Sequence, residues 1–313
     1  MSSIKTIYDH IRQNNIKTIF LVCLFPLLFI GTIYLFMYIL MDTPAEAIEI
    51  TLGVSVPTII ICLIWMLISW AFGDSMILNV AGAHEISPDD TSYREIYRSV
   101  ENVALAAGLP TPRIYIIEDS SLNAFATGRS PRDASIALTR GLINKLDALE
   151  LSGVIAHEMA HIGNRDIRLD MLIITGLGVT IFTADLLLRS AMYGNRSSHS
   201  DENKNDAIIW VIWLAFAAFN FIIAPLLQMA ISRNREYAAD ATGALITRNP
   251  HALASALRKI SGNSGLKRIK QMKTMSAICI APATSTRAFS DSLMATHPPI
   301  QKRIERLESM TIK

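Results

Sequence analysis

Four apolar stretches constrain the fold of this chain more than any other feature of its sequence. Of the 313 residues, 51% are hydrophobic and only 18% are charged, and each stretch has the length and composition of a membrane-spanning helix. The stretches cover residues 18–41, 52–72, 171–188 and 207–231. The third is short and carries Asp185 near its end, so the last two could instead form a buried hairpin of a soluble protein. We predict four transmembrane helices.

The basic residues around the first stretch predict its orientation. Lys5, Arg12 and Lys17 precede it, whereas residues 42–51 contain no Lys or Arg. Because cytoplasmic loops carry the excess of basic residues, we expect the amino terminus in the cytoplasm and the first loop outside. No small-x-small cleavage site follows the stretch, so we expect it to remain as an anchor.

Charge and cysteine content give no indication of nucleic-acid binding, a disulfide framework or a cysteine-rich metal site. The net charge is only +2, which gives no electrostatic footprint for nucleic acid. The three cysteines are far apart in the sequence, so neither a disulfide framework nor a cysteine-rich metal site is indicated. The sequence leaves the oligomeric state open.

The second informative feature of the sequence is a short motif that indicates chemistry. Residues 157–161 read HEMAH. On a helix, His157 and His161 fall on one face, one turn apart, where two imidazoles can hold a single metal ion. Glu158 lies beside that face and can reach a water on the metal. Zinc fits best, because it takes nitrogen and oxygen ligands and leaves one position to water in a catalytic site.

The sequence before this motif predicts that it lies on a helix packed against a core. Asp147 followed by Glu150 is typical of a helix N-cap with its capping-box acid. The helix then carries three apolar residues toward a core, namely Leu151, Val154 and Ile155. This context favours a metal site over the alternative, a pair of surface histidines on an ordinary helix.

Two histidines do not complete a catalytic zinc site, which needs a third protein ligand. Glu236 and Asp240 lie one turn apart on a predicted helix. Glu236 could bind zinc, and Asp240 could accept the free N–H of a ligand histidine; the alternative is an amphipathic helix with solvated charges. Two apolar stretches separate His161 from Glu236, and two membrane crossings return the chain to the same side.

Three further segments have open interpretations at this point. Residues 123–128 (NAFATG) lie between two predicted strands, and their composition favours a plain hairpin connection over an edge strand that binds peptide. Arg165 and Asp166 could form a surface pair, the default, or could support the metal ligands. His297 precedes two prolines at a helix entry, where it could donate a hydrogen bond to an oxyanion.

Three blocks of the sequence carry a family resemblance. They read TRGLINKLDALELSGVIAHEMAHIGNRD, SRNREYAADATGA and ATHPPIQKRIERL. The chain resembles the HtpX-type membrane zinc endopeptidases, a gluzincin family that also contains the CaaX prenyl proteases. The resemblance covers nearly the whole chain. It implies a zincin-like protease domain that holds one zinc ion.

The resemblance assigns a role to each residue around the metal. It implies that His157, His161 and Glu236 are the zinc ligands. It implies that Glu158 is the catalytic carboxylate, which takes a proton from a zinc-activated water and later passes it to the leaving amine. Asp240 would support one of the ligand histidines from behind.

The resemblance also assigns residues to the substrate and the transition state. It implies that His297 acts in the active site near the transition state, with Arg303 as its companion in binding substrate. It reverses the interpretation of the NAFATG segment, which becomes an edge strand that docks substrate. That strand would consist of Asn123, Ala124, Phe125, Ala126, Thr127 and Gly128.

The expected architecture is a mainly α integral membrane protein with four transmembrane helices and a cytoplasmic α+β gluzincin protease domain that contains a small β-sheet. Residues 1–72 would carry the first two transmembrane helices, and residues 169–231 a transmembrane hairpin. The protease domain would be split, with residues 73–168 as its first half and residues 232–313 as its second half, which supplies the third ligand.

The expected function is zinc-dependent hydrolysis of peptide bonds in misfolded or damaged membrane proteins. The family's usual setting implies the bacterial inner membrane, with the lipid bilayer and unfolded membrane proteins as partners. Two alternatives remain open: a CaaX-type processing protease, and a non-catalytic membrane scaffold with structural zinc.

Overall fold

The computed structural model describes residues 43–175, 233–261 and 298–310, together with scattered positions between 12 and 38. These residues fall into two compact units; one contains residues 43–71, and the other contains residues 72–174 with the described residues beyond 232. The fourth apolar stretch, most of the third, and His297 lie outside the described residues.

One long helix, α1 (Pro44–Ala81), contains the second apolar stretch. Its segment Ser55–Ala81 has a mean hydropathy of 2.1 and is the one helix of the described part that is long and apolar enough to cross a membrane. Large apolar side chains such as Ile61 and Leu67 are exposed along it, as a helix in lipid requires. Every described position between 12 and 38 is also helical.

A four-stranded mixed sheet organises the other unit. Its strand order is β1-β2-β4-β3; β2 and β4 are parallel, and the other two pairs are antiparallel. The strands are β1 (Ala83–Glu85), β2 (Arg113–Ile117), β3 (Ala124–Thr127) and β4 (Ser135–Thr139). The segment NAFATG therefore contains an edge strand. The interpretation from composition, a plain connection, is wrong.

Among the described residues, six further α-helices belong to the same unit as the sheet. They are α2 (Arg94–Ala107), α3 (Arg140–Lys145), α4 (Ala148–Gly163), α5 (Arg233–Thr247), α6 (Pro250–Ile260) and α7 (Ile300–Glu308). A helical stretch also covers residues 166–175. The predicted cap of α4 is confirmed: Asp147 Oδ1 accepts from the Glu150 N–H at 2.9 Å, and Glu150 Oε2 accepts from the Asp147 N–H at 2.9 Å. The prediction of a mainly helical protein with a small sheet is confirmed.

The sheet is covered on both faces. Ile114, Ile136 and Leu138 pack on one face into a core with α2, α4 and α6. Phe125 points to the other face, into a second cluster with the end of α1 and residues 171–174. Because successive side chains of a strand point to opposite faces, this alternation fixes the register of β3. The edge strand lies beside α4, which carries the HEMAH motif.

Candidate metal centre

Helices α4 and α5 approach each other closely at the histidines. Gly243 of α5 faces α4: a Cβ at this position would lie 3.0 Å from the His157 backbone nitrogen. Glu236 and Asp240 precede Gly243 by seven and three residues, so all three lie on one face of α5. The absence of a side chain at Gly243 lets this polar face approach the first histidine of the motif.

The structure brings His157, His161 and Glu236 together. The two Nε2 atoms of the histidines are 3.2 Å apart. Glu236 Oε1 is 3.6 Å from His161 Nε2, and Glu236 Oε2 is 3.7 Å from His157 Nε2. Tetrahedral ligands about 2.0–2.1 Å from a zinc ion are separated by about 3.3 Å. The donor set and its spacing therefore fit a single zinc ion, and the three ligand atoms all lie within 4.8 Å of one another.

A carboxylate holds the back of each histidine ring. Asp240 Oδ1 lies 3.0 Å from His157 Nδ1, and Asp166 Oδ2 lies 2.7 Å from His161 Nδ1. Each carboxylate accepts the Nδ1 proton, which leaves the Nε2 lone pair directed at the shared position. Asp166 is wholly buried, so its default interpretation as half of a surface pair is wrong.

Arg303 of α7 is buried beside the ligands, with its Nη2 3.3 Å from His157 Nε2. Its Nε and Nη2 donate to the two oxygens of Asp240 at 2.8 Å and 2.7 Å, and its Nη1 lies 3.4 Å from Glu236 Oε2. Burial alone would raise the pKa of Asp240, but Arg303 and His157 lower it to about 2. These contacts make Arg303 an anchor for α5; the prediction that it binds substrate stays untested.

Glu158 is buried beside the histidines and next to the edge strand. Burial, together with the charge of Glu236, raises the pKa of Glu158 to about 7, although a hydrogen bond from the backbone N–H of Ala126 opposes this shift. A carboxylate with a pKa near neutrality can both accept and donate a proton. Its contact with Ala126 brings the predicted base to the strand predicted to dock substrate.

The surroundings shift the pKa values of the two histidines in opposite directions. Burial alone would lower the pKa of His161, but the hydrogen bond to Asp166 and the charge of Glu236 raise it to about 9. The opposite holds at His157, whose pKa is lowered by burial and by the nearby Arg303. Acids that stabilise a proton at this position will also stabilise a divalent cation.

The remaining predicted residues divide into two groups. All four side chains of β3 are buried, and the buried Asn123 side chain accepts the Ala124 N–H at 2.8 Å. The side chains of this strand are therefore not available to bind a peptide. Gly128 ends it at φ 134°, where a Cβ would lie 2.6 Å from the Asp133 carbonyl oxygen. His297 lies outside the described residues, which resume at Pro298.

Sequence reasoning gave no role to Gly243 and set the wrong default for Asp166. The signal for Gly243 is its spacing of seven residues from Glu236, which keeps it on the ligand-bearing face. Asp166 follows His161 by five residues, past the end of α4 at Gly163. The turn between them carries Arg165 at φ 59° and directs the next helix back toward the histidines.

A helix that carries HExxH, packed against a mixed sheet beside its edge strand and facing a carboxylate from a second helix, defines the class of zincin-like metallopeptidases. The comparisons with known proteins agree. Peptidase family M48 matches residues 90–311, and the chain belongs to this family. It is a membrane zinc metalloprotease, as the sequence predicted.

Curated relatives match over nearly the full length of the chain. A "Protease HtpX homolog" of Thermoanaerobacter pseudethanolicus is 38% identical over 310 residues, which cover 98% of this chain and 99% of the relative. A second, from Listeria monocytogenes serotype 4b, is 38% identical over 316 residues, covering 97% and 100%. These relatives favour the HtpX-type enzyme over CaaX-type processing, and family membership supports a hydrolase rather than a scaffold without catalysis.

A solved structure, "Crystal Structure of S. mikatae Ste24p", covers 89% of this chain and 62% of its own chain, with a TM-score of 0.49 and 20% identity. This similarity is too low to carry an argument about fold or function.

Proposed function

We propose that this protease hydrolyses peptide bonds of unfolded or damaged membrane proteins, using one zinc ion held by His157, His161 and Glu236. The observation that carries the proposal is the convergence of these three buried side chains at the spacing of a tetrahedral site. The two carboxylates behind the histidines support the proposal. Each favours a proton on Nδ1, so that Nε2 carries no proton and can bind the metal.

The chain's own groups then act around this centre. A bound zinc ion supplies a Lewis acid that polarises a peptide carbonyl and lowers the pKa of water. Glu158 takes a proton from the attacking water and returns it to the leaving amine. The backbone of β3 pairs with an extended substrate without reading its side chains. His297 donates a hydrogen bond to the developing oxyanion.

The proposed topology has four spans and one split protease domain. Residues 1–72 and 169–231 carry the spans, and residues 73–168 and 232–313 form the protease domain. The close approach of His161 and Glu236 supports an even number of crossings between them, and the basic residues before the first span support a cytoplasmic amino terminus. The protein would then act at the cytoplasmic face of a bacterial inner membrane, beside its membrane-protein substrates in the lipid bilayer.

The role of Glu158 is tested by Glu158→Gln, assayed for zinc content and for cleavage of unfolded casein in detergent. The variant should retain zinc and lose nearly all cleavage. Glu150→Gln is a matched control, because Glu150 is buried on the same helix but contacts Ser255 and Lys259 instead of the site. It should lower stability and leave cleavage intact. Cleavage by Glu158→Gln at the wild-type rate would show that the base is misassigned.

The substrate class needs a separate assay. We expect the enzyme in proteoliposomes to cleave a destabilised single-span membrane protein faster than its folded parent, since only an unfolded segment can lie extended along β3. Equal cleavage rates for the two substrates would contradict the proposed selectivity.

A further inference from the structure

A buried ion pair lies one residue away from the third candidate ligand. Arg235 directly precedes Glu236 on α5, and its side chain is only 8% exposed. Its Nη2 donates to both carboxylate oxygens of Asp170, at 2.9 Å each. Its Nε lies 3.8 Å from Asp166 Oδ1. One guanidinium thus faces two acids of the helical stretch 166–175.

This arrangement connects both sides of the candidate metal centre. Asp166 accepts from His161 Nδ1 at 2.7 Å, and Arg235 belongs to the helix that carries Glu236. Asp166 and Asp170 are one turn apart, a spacing at which like charges repel. The guanidinium compensates that repulsion, so the position of Asp166 behind His161 depends on a cation from α5.

The same contact determines which way α5 faces. Successive residues of a helix are rotated by about 100° around its axis, so fixing Arg235 also fixes the direction of Glu236. One turn later, Asp240 is held by Arg303 at 2.7 Å and 2.8 Å. Glu236 therefore lies between two buried ion pairs that fix the helix at neighbouring turns.

We propose that Arg235 and Asp170 are a positioning pair, whose ion pair sets the rotation of α5 and thereby holds Glu236 in ligand geometry opposite His157 and His161. This inference rests on the proposed ligand set. Asp170 and Arg235 also flank the third and fourth apolar stretches in the sequence. Their ion pair therefore brings together a residue just before the third stretch and a residue just after the fourth. The two halves of the proposed protease domain are joined at this point, beside the candidate ligands.

The test measures zinc affinity of the full chain in detergent, by competition with a fluorescent chelator at low temperature. Asp170→Asn and Arg235→Gln should each weaken zinc binding about tenfold, as loss of groups supporting a metal ligand does. The double variant should be little weaker than either single one, because the two residues act as a unit. Arg235→Lys keeps the charge but not the two-oxygen contact, and should fall between wild type and Arg235→Gln.

A merely structural pair would behave differently. Lys259→Met breaks another ion pair, in which Lys259 Nζ lies 2.6 Å from Glu150 Oε2, and should lower the unfolding temperature without changing zinc affinity. The visible spectrum of the cobalt-substituted protein reports ligand geometry, and should change for Asp170→Asn but not for Lys259→Met. If Asp170→Asn binds zinc and cobalt like wild type, the positioning role is wrong.

Glu236→Gln separates this inference from the proposed function. A large loss of zinc affinity in Glu236→Gln, with wild-type affinity in the Arg235 and Asp170 variants, overturns the positioning pair alone. Wild-type affinity in Glu236→Gln itself overturns the ligand set on which the pair depends.

Discussion

Gly243 determines how closely α4 and α5 approach, and its replacement by alanine tests whether that approach places the third ligand. The new Cβ would lie 3.0 Å from the His157 nitrogen and 3.2 Å from the Ala156 carbonyl carbon, so one helix must move by a few tenths of an ångström. Overpacking costs about 1–3 kcal/mol, and the better helix propensity of alanine offsets about 1 kcal/mol. We expect the free energy of unfolding to fall by about 0–2 kcal/mol.

The effect on catalysis should exceed the effect on stability. Glu236 lies on the face of α5 that carries Gly243, so a shift of this helix moves the carboxylate away from the histidines. A displacement of 1 Å in a catalytic arrangement can cost about 100-fold in rate. A shift of a few tenths of an ångström should therefore lower kcat for casein cleavage by about three- to tenfold.

Gly153→Ala provides the matched control. Its Cβ would lie 3.1 Å from the Leu253 backbone nitrogen, so the same kind of clash falls between α4 and α6, a helix that carries no candidate ligand. Chemical denaturation in detergent should show a comparable loss of stability for both variants, whereas only Gly243→Ala should lose kcat. Equal losses of kcat in both variants would refute the reasoning.

Three further predictions concern the buried charges. Burial alone would raise the pKa of Asp240, but Arg303 and His157 lower this pKa from 3.8 to about 2. A lowered pKa stabilises the folded state above the ordinary value, by about 2 kcal/mol here, and this contribution is lost as pH falls. Denaturant titrations of the chelator-treated proteins give the unfolding free energies of wild type and Asp240→Asn. The difference between the two should shrink as the pH falls from about 4 to 2. A difference that stays constant over this range would contradict the prediction. Arg303→Lys loses the two-point contact with Asp240 and should lower the unfolding free energy by about 1–3 kcal/mol; unchanged denaturation would argue against the anchor. Asp166→Asn should weaken zinc binding about 10- to 100-fold in chelator competition, and wild-type affinity would show that the contact with His161 is dispensable.

Local sequence signals were sufficient for parts of the structure in which neighbouring residues decide the outcome. The capping box of Asp147 and Glu150 acts within one helical turn, and the structure has it as predicted. The spacing of His157 and His161 places both rings on one face without any knowledge of the rest of the fold. Glu236 and Asp240 were found in the same way, by their separation of one turn.

Parts decided by distant contacts could not be predicted from composition. The small residues of NAFATG resemble a connection, and only their pairing with β4 makes them a strand. The environment of Asp166 depends on Arg235, which follows it after two apolar stretches. No local pattern distinguishes such a buried pair from the surface pair that is the commoner outcome for neighbouring charges.

The convergence of His157, His161 and Glu236 on one ion is tested most directly by zinc X-ray absorption spectroscopy of the purified protein. We predict one zinc ion per chain, with two imidazole nitrogens and carboxylate oxygen at about 2.0–2.1 Å and no sulfur. Glu236→Gln should remove the carboxylate contribution or the zinc itself. A spectrum with sulfur ligands, or one unchanged in Glu236→Gln, would contradict the account.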